Sequence, residues 1–232
     1  DVAGVADLFR QLQVYGLDFR VTPFGSLGIS GAVTESKWTA QGGNNFQFTT
    51  FGIGENDRRA WDLRLDYPIL RGLLTAYYKR IGDGFDAPGS WGRLGNWINP
   101  RGIEGFGGTL EIPVGRRLVL DLEGAGYNYR AFRRFGAPGS ELSYVRGGLR
   151  YPLTSRNSVG LGYERVNYEA DAPGGVDRLE QYYNIGIGHQ FSPNMSVNLL
   201  YQFLNVHSNG ALELPGFDYK ANIIVTQFQA RF

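Results

Sequence analysis

Asp218-Tyr-Lys-Ala-Asn-Ile-Ile-Val-Thr-Gln-Phe-Gln-Ala-Arg-Phe232 is the stretch whose reading decides the fold. From Thr226 onward it alternates. Phe228, Ala230 and Phe232 leave one side, and Gln227, Gln229 and Arg231 leave the other. A period of two marks a pleated strand, because successive side chains point to opposite faces. The stretch ends on an aromatic side chain. One such strand decides little by itself; its repetition through the chain does.

Upstream, Tyr15, Leu17, Phe19 and Val21 alternate with Asp18, Arg20 and Thr22, and a turn around Pro23 leads into a second strand ending near Trp38. The same hairpin recurs around Pro68, Pro113, Pro152 and Pro193, a repeat of about 40 residues. Proline has no N–H to donate to a ladder, so it belongs where a ladder stops. The pattern predicts eleven strands, at 13–23, 26–38, 60–67, 73–82, 105–112, 117–130, 142–151, 158–169, 179–191, 195–207 and 218–232. The turns at one end are short. The connections at the other end, at 39–58, 83–103, 131–140, 170–177 and 208–217, are long and polar. Residues 1–12 read as a lead-in, either a short helix carrying Val2, Val5, Leu8 and Leu12 or an irregular segment, and 13–232 as a single β domain.

Composition agrees with an all-β protein. Of 232 residues 34 are Gly, aromatics make up 14%, and there is no Cys. That excludes a disulfide scaffold and a thiolate metal site. A net charge of +1 gives no general attraction to nucleic acid. Mean hydropathy is −0.27 and no apolar run reaches the length of a membrane-spanning helix. A membrane-spanning barrel is compatible with such values, because polar inward residues dilute the apolar ones in every strand. The chain opens on Asp1 without a leader pattern, so it reads as a processed product or a piece of something longer.

The strand faces are chemically distinct. One carries Trp61, Leu63, Leu65 and Tyr67, then Leu118, Leu120 and Leu122, then Val159, Leu161 and Tyr163, then Val197, Leu199, Tyr201 and Phe203. Aromatics tend to close these rows, as at the two interfaces of a bilayer. The other face is charged or glycine-rich. There Arg20, Arg64, Lys79, Arg146, Arg150 and Arg231 stand with Asp18, Asp62, Asp66, Glu111, Asp121, Glu123 and Glu164. The expected fold is therefore a transmembrane antiparallel up-and-down β-barrel, with these thirteen residues lining its pore. They would either set up a transverse field in a water-filled channel or pair and fill a narrow lumen.

Phe85-Asp-Ala-Pro-Gly-Ser-Trp-Gly-Arg-Leu-Gly-Asn-Trp-Ile-Asn-Pro-Arg-Gly-Ile-Glu-Gly105, after the strand ending Tyr77-Tyr-Lys-Arg80, resembles a segment of the porin-like barrels joined to periplasmic S-layer-homology domains. Tyr219-Lys-Ala-Asn222 is similar too. The close resemblance covers some 25 residues. It implies an outer-membrane, trimeric diffusion channel for small hydrophilic solutes, or a structural barrel anchoring the outer membrane to other envelope layers. An S-layer-homology domain and a coiled-coil stalk are missing from this sequence. The terminal strand resembles the signal read by the barrel-assembly machinery, with Phe228 and Phe232 as its aromatic positions.

Other chemistry is sparse, and no enzyme, cofactor or metal is expected. His189 falls on the apolar row, His207 opens a loop, and neither has a carboxylate or Ser companion readable from spacing. Asp83, Asp86, Asp171 and Asp177 match no compact calcium-loop spacing. The odd strand count leaves three options: a lumenal plug from residues 1–12, an additional strand at Phe46–Ile53, or further strands outside the chain. The last is preferred, with Tyr15–Val21 expected not to pair with Ile223–Phe232.

Overall fold

The computed structural model describes residues 10–40, 57–87, 92–95, 97–129, 140–170, 176–210 and 218–231. The eleven long strands are β1 (Arg10–Phe24), β2 (Leu27–Ala40), β3 (Arg59–Ile69), β4 (Gly72–Ile81), β7 (Ile103–Val114), β8 (Leu118–Tyr129), β9 (Ser140–Pro152), β10 (Asn157–Ala170), β11 (Val176–Ser192), β12 (Met195–Gly210) and β13 (Tyr219–Ala230). Each pairs antiparallel with the next in chain order, giving one up-and-down sheet. Two short strands, β5 (Arg93–Leu94) and β6 (Trp97–Ile98), form a separate hairpin.

All eleven expected strands are present, and one boundary changes the expectation. Arg10–Leu12 belong to β1, so the lead-in is shorter than residues 1–12, and residues 1–9 lie outside the described residues. The candidate strand at 46–53 lies outside them as well. The prolines also sit slightly differently. Pro68 and Pro113 are the penultimate residues of β3 and β7 and lie opposite Leu73 and Val119, while Pro152 ends β9. The turn tips themselves use left-handed residues, Gly25 (φ 58°), Gly115 (φ 68°) and Leu70 (φ 55°). The first two carry no Cβ penalty. Leu70 does, at a cost of roughly 1–2 kcal/mol.

Cross-strand partners share a face. Arg20, Ser30, Arg64, Tyr77, Gly107, Ala125, Tyr144, Val166, Glu180, Val206 and Tyr219 are successive partners, one row across the whole sheet. The row begins near the turn end of β1 and finishes at the first residue of β13, at the loop end. This stagger means that the strands tilt against the sheet's long direction, as they must when a sheet curls toward a barrel. β1 and β13 are the two edges, and among the described residues no ladder joins them. Both run from the loop end to the turn end, so an antiparallel pattern cannot pass directly from one to the other.

The outer face is apolar and bare. Leu17 (76% exposed), Phe106 (71%) and Ile224 (70%) are its extremes, and Leu63, Leu65, Leu161, Ile185, Ile187 and Leu199 belong to the same surface. The apolar core lies on the inner face instead, near the loop end. It gathers Ile81, Phe85, Leu94, Ile103, Tyr127, Leu142, Tyr144, Val166, Tyr182, Leu204 and Val206.

Glycine spacing on the inner face yields a test. A Cβ on Gly105 would collide with the Gly126 carbonyl, whereas a Cβ on Gly186 would meet open space. Gly105→Ala is expected to cost about 1–3 kcal/mol, and Gly186→Ala nothing measurable, in urea unfolding of the refolded protein.

Candidate functional site: an inner face crossed by a hairpin

Twelve of the thirteen charged residues expected to share a face do share the inner one, as the register of each strand requires, and Arg231 lies one residue beyond the end of β13. Most are paired. Arg64 Nε donates to Asp66 Oδ1 (2.8 Å), and the Thr75 hydroxyl donates to the same oxygen (2.7 Å). Arg146 stands 3.3 Å from Glu123. Arg150 makes a two-pronged contact with Asp121 (3.1 and 3.2 Å), with Glu111 farther off at 3.9 Å. Glu164, 4% exposed, is engaged by Arg93 at 3.0 and 3.3 Å. Asp18, Arg20, Asp62 and Arg231 have no such partner among the described residues, and the Lys79 ammonium lies 6.0 Å from the Tyr77 ring centroid.

Arg93 was not among the expected residues, and its position corrects the loop assignment at 83–103. That segment folds inward. It is anchored first beside β3 and β4, where Gly82 N–H donates to the Arg59 carbonyl (2.8 Å) and Gly84 N–H to the Asp57 carbonyl (3.0 Å). Asp86 N–H then donates to Ser36 Oγ (2.9 Å), and Arg101 donates to the Asp86 carboxylate (2.8 Å). Phe85 is buried in the core. The β5–β6 hairpin reaches across to the far strands. There the Leu94 carbonyl accepts from the Tyr168 hydroxyl (3.1 Å), and the Arg93 guanidinium lies 5.6 Å from the Tyr182 ring centroid. At Gly95 (φ 56°) a Cβ would run into the Glu180 carboxylate, so only glycine permits this approach. Glu180 itself is 1% exposed, accepts from the Tyr182 hydroxyl (2.7 Å) and forms an ion pair with Arg178 (2.8 Å).

Beneath the hairpin is a cavity of about 410 Å³. Asp62, Arg64, Lys79, Arg93, Glu123 and Arg146 supply its charges, and Tyr77, Tyr127 and Tyr144 its ring surfaces. Tyr77 hydroxyl donates to Glu123 (3.2 Å), which Arg146 also contacts. The wall thus combines paired charges and phenols with Asp62 and Lys79, which make no ion pair among the described residues. It suits a small hydrophilic molecule better than an apolar one.

The two histidines differ. His189 is on the outer face, its Nδ1 2.6 Å from Asn157 Oδ1. His207 has a carboxylate companion after all, Asp218, at 2.8 Å. The partner is eleven residues away across a strand-to-strand connection, which spacing alone does not reveal. Asp218 also accepts from the Ser208 amide (2.6 Å). The Ser208 bond, with His207 adding to it, holds the Asp218 carboxyl below the usual aspartate value of 3.8. Among the described residues no group of His and carboxylates could hold a metal ion; Asp171 lies outside them.

No family model matches the chain, and no curated protein matches it. Among solved structures it is similar to in-vitro folded OmpT, an outer membrane protein of Vibrio cholerae, with 12% identity over 94% of this chain and 96% of that one, at a TM-score of 0.49. At that score the likeness transfers nothing.

Two outcomes follow from these contacts. Arg93→Ala leaves Glu164 buried without its nearest cation and should loosen the hairpin. Hydrogen exchange at Leu94 and Gly95 is expected to speed up roughly tenfold, about 1.4 kcal/mol of local stability; unchanged exchange would mean that packing alone holds the hairpin. The Asp218 clamp has a lowered folded pKa, so its contribution is complete above the unfolded aspartate value and disappears as pH falls through the folded one. Ser208 amide protection should therefore hold at neutral pH, fall in acid below 3.8, and be weak at every pH in Asp218→Asn.

Proposed function

We propose that this chain forms a transmembrane antiparallel up-and-down β-barrel in a bacterial outer membrane, and that it passes small hydrophilic solutes or ions by passive diffusion along its inner face. The observation that carries this is the bare apolar outer face backed by a charged inner one. A Leu or Phe left in water forfeits roughly 1.5–3 kcal/mol relative to burial. With on the order of twenty such side chains, the sum exceeds the about 5–15 kcal/mol by which a domain is stable at all. Hydrocarbon removes that cost. A strand of 12 residues, such as β7 or β8, is roughly 40 Å long, or about 30 Å high at a tilt near 40°. That height matches a bilayer core.

Outer-membrane lipid would then be the partner of the outer face. The barrel-assembly machinery would read Phe228, on that face, and Phe232, which lies outside the described residues. Assembly as a homotrimer and a link to an S-layer-homology domain belong to the same proposal, and rest on the resemblance in the sequence. No catalytic step is included: the His207–Asp218 pair is exposed at the loop end, where it clamps a connection.

One observation favours the rival, a non-conducting structural barrel that anchors envelope layers. The inward hairpin crosses the inner face, and most of the charges are already paired. Planar-bilayer recording separates the two. Conductance steps from the refolded protein are expected, and their absence from correctly folded protein removes the channel. Arg146→Glu with Arg150→Glu takes away two bases and adds two acids, so the reversal potential in a salt gradient should move toward cations. An unchanged potential would mean that these side chains lie off the conducting path.

A further inference from the structure

The two ends of the inner face differ in charge. Toward the loop end acids and bases are mixed, as in Glu164 with Arg93 and Glu123 with Arg146. At the turn end, the tips of three successive turns carry Arg71, Arg116, Arg117 and Arg156, and none of those tips contains Asp or Glu. All four are exposed.

A second cavity, of about 420 Å³, opens at this end between the β9–β10 and β11–β12 turns. Arg156 and Arg231 line it from two sides, Ser158 and Asn198 form part of its floor, and no carboxylate lines it. Neither arginine side chain has a hydrogen-bond or ion-pair partner among the described residues, unlike most bases higher on the same face. Two local features shape the site. The Thr154 hydroxyl accepts from the Arg156 and Asn157 amides (3.2 and 3.0 Å), fixing the turn that presents Arg156. On the floor, Gly188 is bare where a Cβ would stand 2.6 Å from Ser158 Oγ and 3.0 Å from Asn198 Oδ1, so a hydroxyl and a carboxamide converge there.

Two guanidinium groups without partners among the described residues, together with a hydroxyl and with no carboxylate among the described lining residues, make a receptor for an oxyanion. The planar guanidinium fork matches the paired oxygens of phosphate or carboxylate. The basic turn tips around it raise the local concentration of anions. We propose that the turn-end mouth of the inner face is a binding site for small phosphate-bearing solutes, held between Arg156 and Arg231. The site deepens the channel proposal, since it would load anions at one mouth, and it rests on the inner face being a solute path. A phospholipid headgroup shares this chemistry, but the cavity floor belongs to the inner face and not to the apolar one.

Inorganic phosphate titrated into the detergent-refolded protein, followed by calorimetry at low salt, tests this. Saturable binding in the wild type is expected, weakened roughly fivefold or more in Arg156→Ser with Arg231→Ser. Arg165→Ser, on the outer face, should bind as the wild type does. Gly188→Ala keeps both charges but parts Ser158 from Asn198, and should weaken binding about two- to threefold. Should the double variant misfold by circular dichroism, Arg156→Lys, which keeps the charge and loses the fork, should still bind more weakly than the wild type. No saturable binding, undiminished binding in the folded arginine variants, or binding of phosphatidylglycerol micelles without inorganic phosphate overturns the site. A protein that conducts but does not bind phosphate loses this site alone; one that binds phosphate and never conducts keeps the site and loses the channel.

Discussion

A backbone ladder running unbroken through eleven strands is the constraint on which the rest of the molecule depends. Once one pair is in register, every other residue's face is settled. A slip of one residue between β3 and β4 would send Leu63 and Leu65 inward and turn Arg64 and Asp66 out. The chemistry of the faces and the pairing of the backbone therefore enforce each other. An apolar outer row is tolerable only if the charged row is enclosed, and the charged row finds its partners only in this register: Arg64 with Asp66 and Thr75, Arg146 with Glu123, Arg150 with Asp121.

Pairing changes what the inner face can be electrostatically. Opposed acidic and basic rows suggest a strong transverse field, but neighbouring strands bring most of the opposite charges into contact. A contact pair is a small dipole whose field falls off quickly, and salt screens what remains. What is left over is positional: most carboxylates are drawn into pairs or buried, as Glu164 and Glu180 are, while the arginines at the turn end have no partner among the described residues. Vectorial charge along the sheet thus comes from where the pairing stops.

Period-two alternation made strands and faces legible, down to His189 standing with the outward apolar residues. It is a local property, readable from a few consecutive residues. The hairpin at β5 and β6 was not legible, because nothing local distinguishes a polar loop that extends into water from one that folds back. Its decisive contact, Arg93 to Glu164, joins residues 71 positions apart. The sequence signs that do bear on it, Leu94 beside Gly95 and an arginine on a loop, acquire meaning only once β10 and β11 are in place beneath. His207 and Asp218 were missed for the same reason on a shorter scale. The apolar core at the loop end of the inner face also escaped, since Leu142 and Tyr144 alternate as regularly as Arg146 does.

That same 71-residue separation fixes an order of events. β4 can zip to β7, and β7 to β8, through neighbours in the chain, with little loop-closure entropy to overcome. The β5–β6 hairpin gains none of its contacts to β10 and β11 from those steps. Arg93 has no acid to meet and Leu94 no tyrosine hydroxyl until the strands carrying Glu164, Tyr168 and Tyr182 have joined the far side. The contacts that seat the hairpin therefore cannot form before β10 and β11 are in place.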